Sequence, residues 1–189
     1  MIAPIQTTWN NYHFRSRTEA KWAVTLTTLG IPFEYEEKAY SIPGVGGYVP
    51  DFYLPTMRVG EYHSGGCFLE IKPADYIKER QSPTMELSSL TREPVVTFYG
   101  FPDRGESGIN EFFDRHTIEN AYVPGPSGNG LYCDNLYLLG VCKQCGSIEI
   151  QYMGKSERHA CDCSTGDKGS AYDDESLLLA YDTARSYQF

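Results

Sequence analysis

The hexapeptide Cys67-Phe68-Leu69-Glu70-Ile71-Lys72 sets two opposite charges inside an otherwise apolar run of strand length. Side chains two apart on a strand project to the same face, so Glu70 and Lys72 stand together. Such a segment reads as a central strand, and a charge carried into an interior is costly unless it is paired or bound to a metal. The fold must therefore bring a partner to this strand. The preceding segment Tyr48-Val49-Pro50-Asp51-Phe52-Tyr53-Leu54-Pro55 has the aromatic and β-branched content of a neighbouring strand, with its prolines at the margins. It offers Asp51 as a second carboxylate.

Two carboxylates and an ammonium on adjacent strand ends suit a hard divalent cation, which takes one or two carboxylates, keeps several waters and engages phosphate oxygens. Asp51 and Glu70 are the candidate ligands for Mg²⁺ or Mn²⁺. Lys72 is placed to orient a water or to stabilise the charge on an attacked phosphodiester. Glu19 is a candidate third carboxylate. Each residue also has a plainer reading. Ser16 and Glu19 have the S-x-x-E spacing of a capping box, Asp51 can cap a turn after Pro50, and Glu70 with Lys72 can be a structural ion pair. Arg15 and Arg17 can face phosphate or simply solvate a helix end.

The flanking pattern is α/β. After Ser16, a broad stripe of Ala20, Trp22, Ala23, Val24, Leu26 and Leu29 predicts a helix that Gly30 stops. Residues 31–40 alternate as one half-buried strand around Phe33 and Tyr35. Ser82 and Pro83 open a helix to about Thr91, and the run beginning at Pro94 is another buried strand. A short helix is expected over 111–117 in a Gly/Pro-rich connection. A closing helix is expected over 173–187, with Leu177, Leu178, Tyr181 and Ala184 on one side.

Cys142-x2-Cys145-Gly146 is a knuckle that points two thiolates at one ion, and Cys161-x-Cys163 follows after 15 residues to complete a Cys₄ set for structural Zn²⁺. His159 is an alternative to Cys161 or Cys163. Cys67 and Cys133 lie in apolar strand-like runs and read as small core residues.

Taken in order over residues 12–102, Tyr12–Glu36, Tyr48–Pro55, Phe68–Pro73 and Pro94–Pro102 resemble the PD-(D/E)xK nuclease superfamily. The resemblance is nearest to small phage- and transposon-type members with a Cys-rich tail. It implies a restriction-endonuclease-like mixed central sheet flanked by helices over residues 1–125. A zinc-ribbon-like element with a closing helix follows over 126–189. It also implies a metal-dependent endonuclease acting on DNA, of phage or mobile-element origin. Carried over position by position, its catalytic residues are Glu19, Asp51, Glu70 and Lys72, with Arg15 and Arg17 contacting substrate. Gln81 and Glu86 lie where relatives place an auxiliary polar residue.

The charge balance sets a condition on that reading. The chain has 189 residues with 16 Lys and Arg against 25 Asp and Glu, a formal charge of −9. Residues 1–90 hold 8 basic and 10 acidic side chains, and residues 91–189 hold 8 and 15. That balance argues against broad attraction to nucleic acid, which is driven by basic surfaces that release counterions. A local rim of Arg15, Arg17, Lys21, Lys72, Lys78 and Arg80 remains, so weak, salt-sensitive DNA binding is expected, with a partner protein or homodimer supplying affinity. The alternatives are a nuclease-fold protein that acts without catalysis by binding a host protein, or one activated only inside a complex. A 41% hydrophobic composition rules out a disordered chain. The absence of a long apolar run and of a signal-like start gives an expected cytoplasmic location without membrane association, in the host cytoplasm if phage encoded.

Overall fold

The computed structural model describes residues 5–59, 65–74, 83–102, 120–124, 131–134, 137–152, 163, 170–171 and 174–189. Its first element is a hairpin of β1 (Thr7–Trp9) and β2 (Tyr12–Phe14), paired antiparallel. Asn10 and Asn11 join the strands at φ 47° and 66°. A two-residue hairpin turn of this twist requires two left-handed residues, and asparagine adopts that region more readily than most.

Helix α1 (Arg17–Thr28) starts at Ser16, whose side chain accepts from the Glu19 N–H. It ends as the sequence indicates. Gly30 sits at φ 69°, its N–H bonds Thr27 O at 3.0 Å, and the Ile31 N–H bonds Leu26 O at 2.9 Å. These are the two reverse bonds of a Schellman termination, which glycine enters at low cost. The single strand expected over 31–40 is corrected. It is interrupted after β3 (Glu34–Tyr35), because Glu36 turns to φ 46°, and Tyr40 begins a separate hairpin of β4 (Tyr40–Ile42) and β5 (Gly46–Tyr48).

The main sheet also contains β6 (Phe52–Leu54), β7 (Cys67–Lys72), β8 (Val95–Tyr99), β9 (Asn120–Pro124) and β10 (Leu131–Asp134). Its strand order is β10-β9-β8-β7-β6-β3, with β7 and β8 parallel and the remaining neighbours antiparallel. A parallel pair needs a crossover, and helix α2 (Pro83–Thr91) lies within it. Alternation on β7 separates two cores. Cys67, Leu69 and Ile71 join the larger one, and Phe68 joins a smaller one with Ile42, Leu87 and Val95. The larger core is covered by α1 through Ala20, Trp22, Ala23 and Leu26. Trp22 is 4% exposed, stacks obliquely on Phe98 at 4.5 Å and donates to Gly100 O at 2.9 Å. The polar end of the indole is thereby satisfied where its rings are buried.

Toward the C-terminus, β11 (Tyr137–Cys142), β12 (Ile148–Tyr152) and β13 (Ser170–Ala171) form a three-stranded sheet, and α3 (Glu175–Ser186) packs on α1. Leu177, Ala180, Tyr181 and Ala184 are the buried side of α3, capped by Asp174. Tyr137, Leu139, Ile150, Leu177 and Tyr181 belong to the same core as α1 and the main sheet, and the Ile150 N–H bonds Arg58 O at 3.0 Å. The segments either side of residue 125 therefore share one hydrophobic interior. The helix expected over 111–117 lies outside the described residues. No described helix is long and apolar enough to cross a membrane.

Candidate functional site

The register of two neighbouring strands assembles the carboxylates. In the antiparallel β6–β7 pair, Phe52 faces Leu69, so Asp51, the residue just before β6, comes beside Glu70 and Ile71. Glu70 and Lys72 lie on the β7 face that carries Phe68, as their spacing indicates. Asp51 and Glu70 are 2% and 1% exposed. The Asp51 N–H approaches Glu70 Oε1 at 3.4 Å, the Ile71 N–H donates to Asp51 Oδ2 at 2.7 Å, and Lys72 Nζ meets Glu70 Oε2 at 2.7 Å.

Asp51 and Glu70 are thus two acids held together with little water. Burial, and then the charge of Glu70, push Asp51 up to about 8, against the opposing pull of the Ile71 N–H and Lys72. The Arg15 guanidinium pulls the same way as Lys72, since it pairs with Asp51 Oδ1 through Nη2 and with Glu36 Oε1 through Nε at 2.5 Å. Burial alone would lower Arg15, but Asp51, Glu36 and Glu19 outweigh it and raise it. Arg15 therefore faces protein carboxylates. Arg17 is exposed at the start of α1, Lys21 lies over the Phe101 ring at 5.5 Å, and Lys78, Arg80 and Gln81 lie outside the described residues. Glu86 is half-buried on α2.

Glu19 is 6% exposed, and its carboxylate is spent on protein donors: the Arg15 N–H at 3.1 Å, the Ser16 hydroxyl at 2.8 Å and the Tyr35 hydroxyl at 2.6 Å. Among the described residues, Glu19, Asp51 and Glu70 do not form a set whose ligand atoms all lie within 4.8 Å of one another. Glu19 touches Asp51 only through Arg15 and Tyr35, and it makes half of the expected capping box: its N–H donates to Ser16 Oγ, while its carboxylate takes the Arg15 N–H and the Ser16 hydroxyl.

Three contributors were not singled out from the sequence. Tyr35 links Glu19 to Arg15, accepting from the Arg15 N–H at 3.1 Å. Glu36 holds the far side of the Arg15 guanidinium, and its left-handed backbone is anchored by its N–H to Asp51 O at 3.0 Å. Tyr48, three residues before Asp51, has a buried hydroxyl beside the Glu70 carboxylate but without a hydrogen bond of normal geometry; burial, then the Glu70 charge and hydrogen bonding toward Glu70, raise it. The alternation around Tyr35 marked a strand, but nothing local announces that Glu36 turns back toward Asp51.

The second constellation is the cysteine cluster. Cys142 ends β11, Cys145 lies in the turn, and Gly146 at φ 72° returns its N–H to Cys142 O at 2.8 Å. The sulfurs of Cys142, Cys145 and Cys163 all lie within 4.8 Å of one another. Hydrogen bonds from the Ser147 side chain and backbone, opposed by burial and joined by those with Cys142 and Cys163, hold the Cys145 thiol down to about 6, which favours the thiolate that a metal binds. Three such thiols can hold a metal such as zinc. Cys161 and His159, the candidates for the fourth ligand, lie outside the described residues. Cys67 is fully buried in the core, which raises its thiol, and Cys133 lies on β10.

No family model, curated protein or solved structure matches this chain.

Proposed function

We propose that this chain is a divalent-metal-dependent endonuclease that hydrolyses phosphodiester bonds of DNA, with a PD-(D/E)xK-type core. The observation that carries the reading is the Asp51, Glu70 and Lys72 cluster on adjacent central strands. Its two carboxylates are almost wholly buried, and Lys72 lies within 2.7 Å of Glu70. A hard oxygen donor set of this kind fits Mg²⁺ or Mn²⁺, with Asp51 and Glu70 holding the ion. When bound, such an ion makes hydroxide available at neutral pH and offsets charge on the phosphoryl group. In the hydrolysis, water forms a new P–O bond and the bond to one sugar oxygen breaks. The water loses a proton to solvent and the departing oxygen gains one.

The chain's own residues then have separate tasks. Lys72 is positioned by Glu70 to direct a hydrogen bond at the attacking water or at a phosphate oxygen. Arg15, exposed over about half of its side chain, is the nearest cation able to leave Asp51 for a phosphate. Glu19 and Tyr35 fix the backbone from which Arg15 projects.

A second reading is supported by the pairing of Arg15 with Asp51 and of Lys72 with Glu70: the same residues can form a structural ion network in a non-catalytic binding protein. One experiment separates the two. Wild type and Lys72→Ala are incubated with supercoiled plasmid, single-stranded DNA and RNA, in Mn²⁺, Mg²⁺ or chelator at low salt. Metal-dependent cutting by wild type alone supports the endonuclease. Equal cutting by the folded variant refutes Lys72 as a catalytic residue.

A further inference from the structure

On the sheet face that carries Asp51 and Phe68, a groove of about 650 Å³ opens between the 34–40 segment and the end of α2. That volume is typical of ligand-binding clefts, roughly 300–1,000 Å³. Its floor is aromatic and continuous: Phe68 lies 5.5 Å from Tyr40 and 5.0 Å from Tyr53. Its walls are acidic, with Glu34, Glu36 and Glu37 on one side and Glu93 near the other, against the one ammonium of Lys38. Lys38 Nζ stands 5.0 Å over the Tyr40 ring, so the floor already seats an ammonium from its own chain. Glu34 shares a hydrogen bond with Glu37 and is raised by it, as expected of two carboxyls crowded at one rim.

Aromatic faces between carboxylates suit Arg and Lys, whose stems and charged heads engage ring faces and carboxylates together. They repel phosphate, which excludes a nucleic-acid backbone as the occupant. The wall residues Glu34 and Glu36 lie in and beside β3, the edge strand of the main sheet, whose outer side pairs with no other described strand. An edge of this kind accepts extended backbone, and side-chain pockets beside it give specificity. We infer that this groove docks an extended, Arg- and Lys-bearing segment of a partner polypeptide. The inference is independent of whether the chain cleaves DNA.

The test uses the full chain and a dye-labelled peptide of alternating arginine and serine, followed by fluorescence anisotropy at low salt. The groove variant Glu34→Gln with Glu37→Gln alters two exposed side chains. The control, Glu175→Gln with Asp182→Asn, removes the same charge from α3. Thermal melting verifies that all variants fold. The groove variant is expected to weaken the peptide roughly fivefold, and Tyr40→Leu roughly threefold, while the control changes it by less than about twofold. Equal loss in groove variant and control would mean generic attraction to an acidic chain and would overturn the groove. Failure of the wild type to bind the peptide would do the same. Spermine displacing the peptide as effectively, charge for charge, as an unlabelled copy would overturn a polypeptide occupant.

Discussion

Replacing Glu19 by alanine separates support of the site from participation in chemistry. The Glu19 carboxylate accepts from the Tyr35 hydroxyl at 2.6 Å, the Ser16 hydroxyl at 2.8 Å and the Arg15 N–H at 3.1 Å, with only 6% of the residue exposed. Hydrogen bonds to a charged group contribute about 1.5–3 kcal/mol each when fully sheltered. Arg15 and Ser16 reach solvent, so water replaces part of what they lose. Tyr35 is half-buried and regains less. The Ser16 side chain keeps its bond to the residue 19 N–H, so the cap itself, worth about 1 kcal/mol, survives. The sum is a loss of about 2–4 kcal/mol. Urea unfolding followed by circular dichroism measures it, with Ser16→Ala as a comparison expected to cost about 1 kcal/mol. A Glu19→Ala protein destabilised by less than about 1 kcal/mol would refute the network as the reason for this glutamate. If that stable protein had also lost all cleavage, Glu19 would belong to the chemistry instead.

The upward shift of Asp51 gives a pH dependence. A carboxyl raised in the folded state contributes stability that is present below its unfolded value and is lost as pH rises through its folded value, here about 8. Melting midpoints in chelator should therefore fall between about pH 4 and pH 8, and Mn²⁺ should raise them more at pH 8 than at pH 5; a metal effect independent of pH would refute Asp51 as a ligand. Tyr48→Phe removes a buried hydroxyl that lies beside Glu70 without a hydrogen bond of normal geometry, so the metal-free protein should gain up to about 1 kcal/mol in urea unfolding, and any loss of stability would show that the contact with Glu70 satisfies the hydroxyl. The Cys142, Cys145 and Cys163 cluster predicts about one zinc per purified chain by elemental analysis, reduced in Cys145→Ser, whereas a folded and fully zinc-free preparation would refute a metal role for the cluster.

What was legible in the sequence is what local rules determine. Ser16 and Gly30 bracket α1 because a hydroxyl at one end and a left-handed residue at the other satisfy backbone groups within a few residues of themselves. Cys67–Lys72 reads as a strand, and the shared face of Glu70 and Lys72 follows from its period of two. The placement of Asp51 beside them was expected from adjacent strands. The actual contacts, however, depend on the register pairing Phe52 with Leu69. The Asn10–Asn11 pair between two β-type triplets is a local turn signal of the same kind. The partners of Arg15 were illegible for a different reason: Glu36 reaches it only because the chain turns left-handed there, and no local pattern demands that of a glutamate.

The acidic character of the chain acquires a specific meaning once its charges are located. Glu36 lines the groove and also holds Arg15 beside Asp51, so the proposed docking surface and the proposed catalytic centre meet at one side chain on one face of the sheet. A DNA backbone approaching Asp51 from that side passes four groove carboxylates, Glu93 and three from residues 1–90 that the nearly neutral arithmetic of that half does not reveal. Their repulsion acts within a screening length of about 10 Å at 0.1 M salt. A basic segment in the groove would cancel it and would compete with Arg15 for Glu36, leaving Arg15 freer to meet a phosphate. On this reading the peptide that binds the groove should also increase plasmid cleavage by wild type, and the increase should shrink with the Glu34→Gln and Glu37→Gln pair. A peptide that binds yet leaves cleavage unchanged would disconnect the two surfaces.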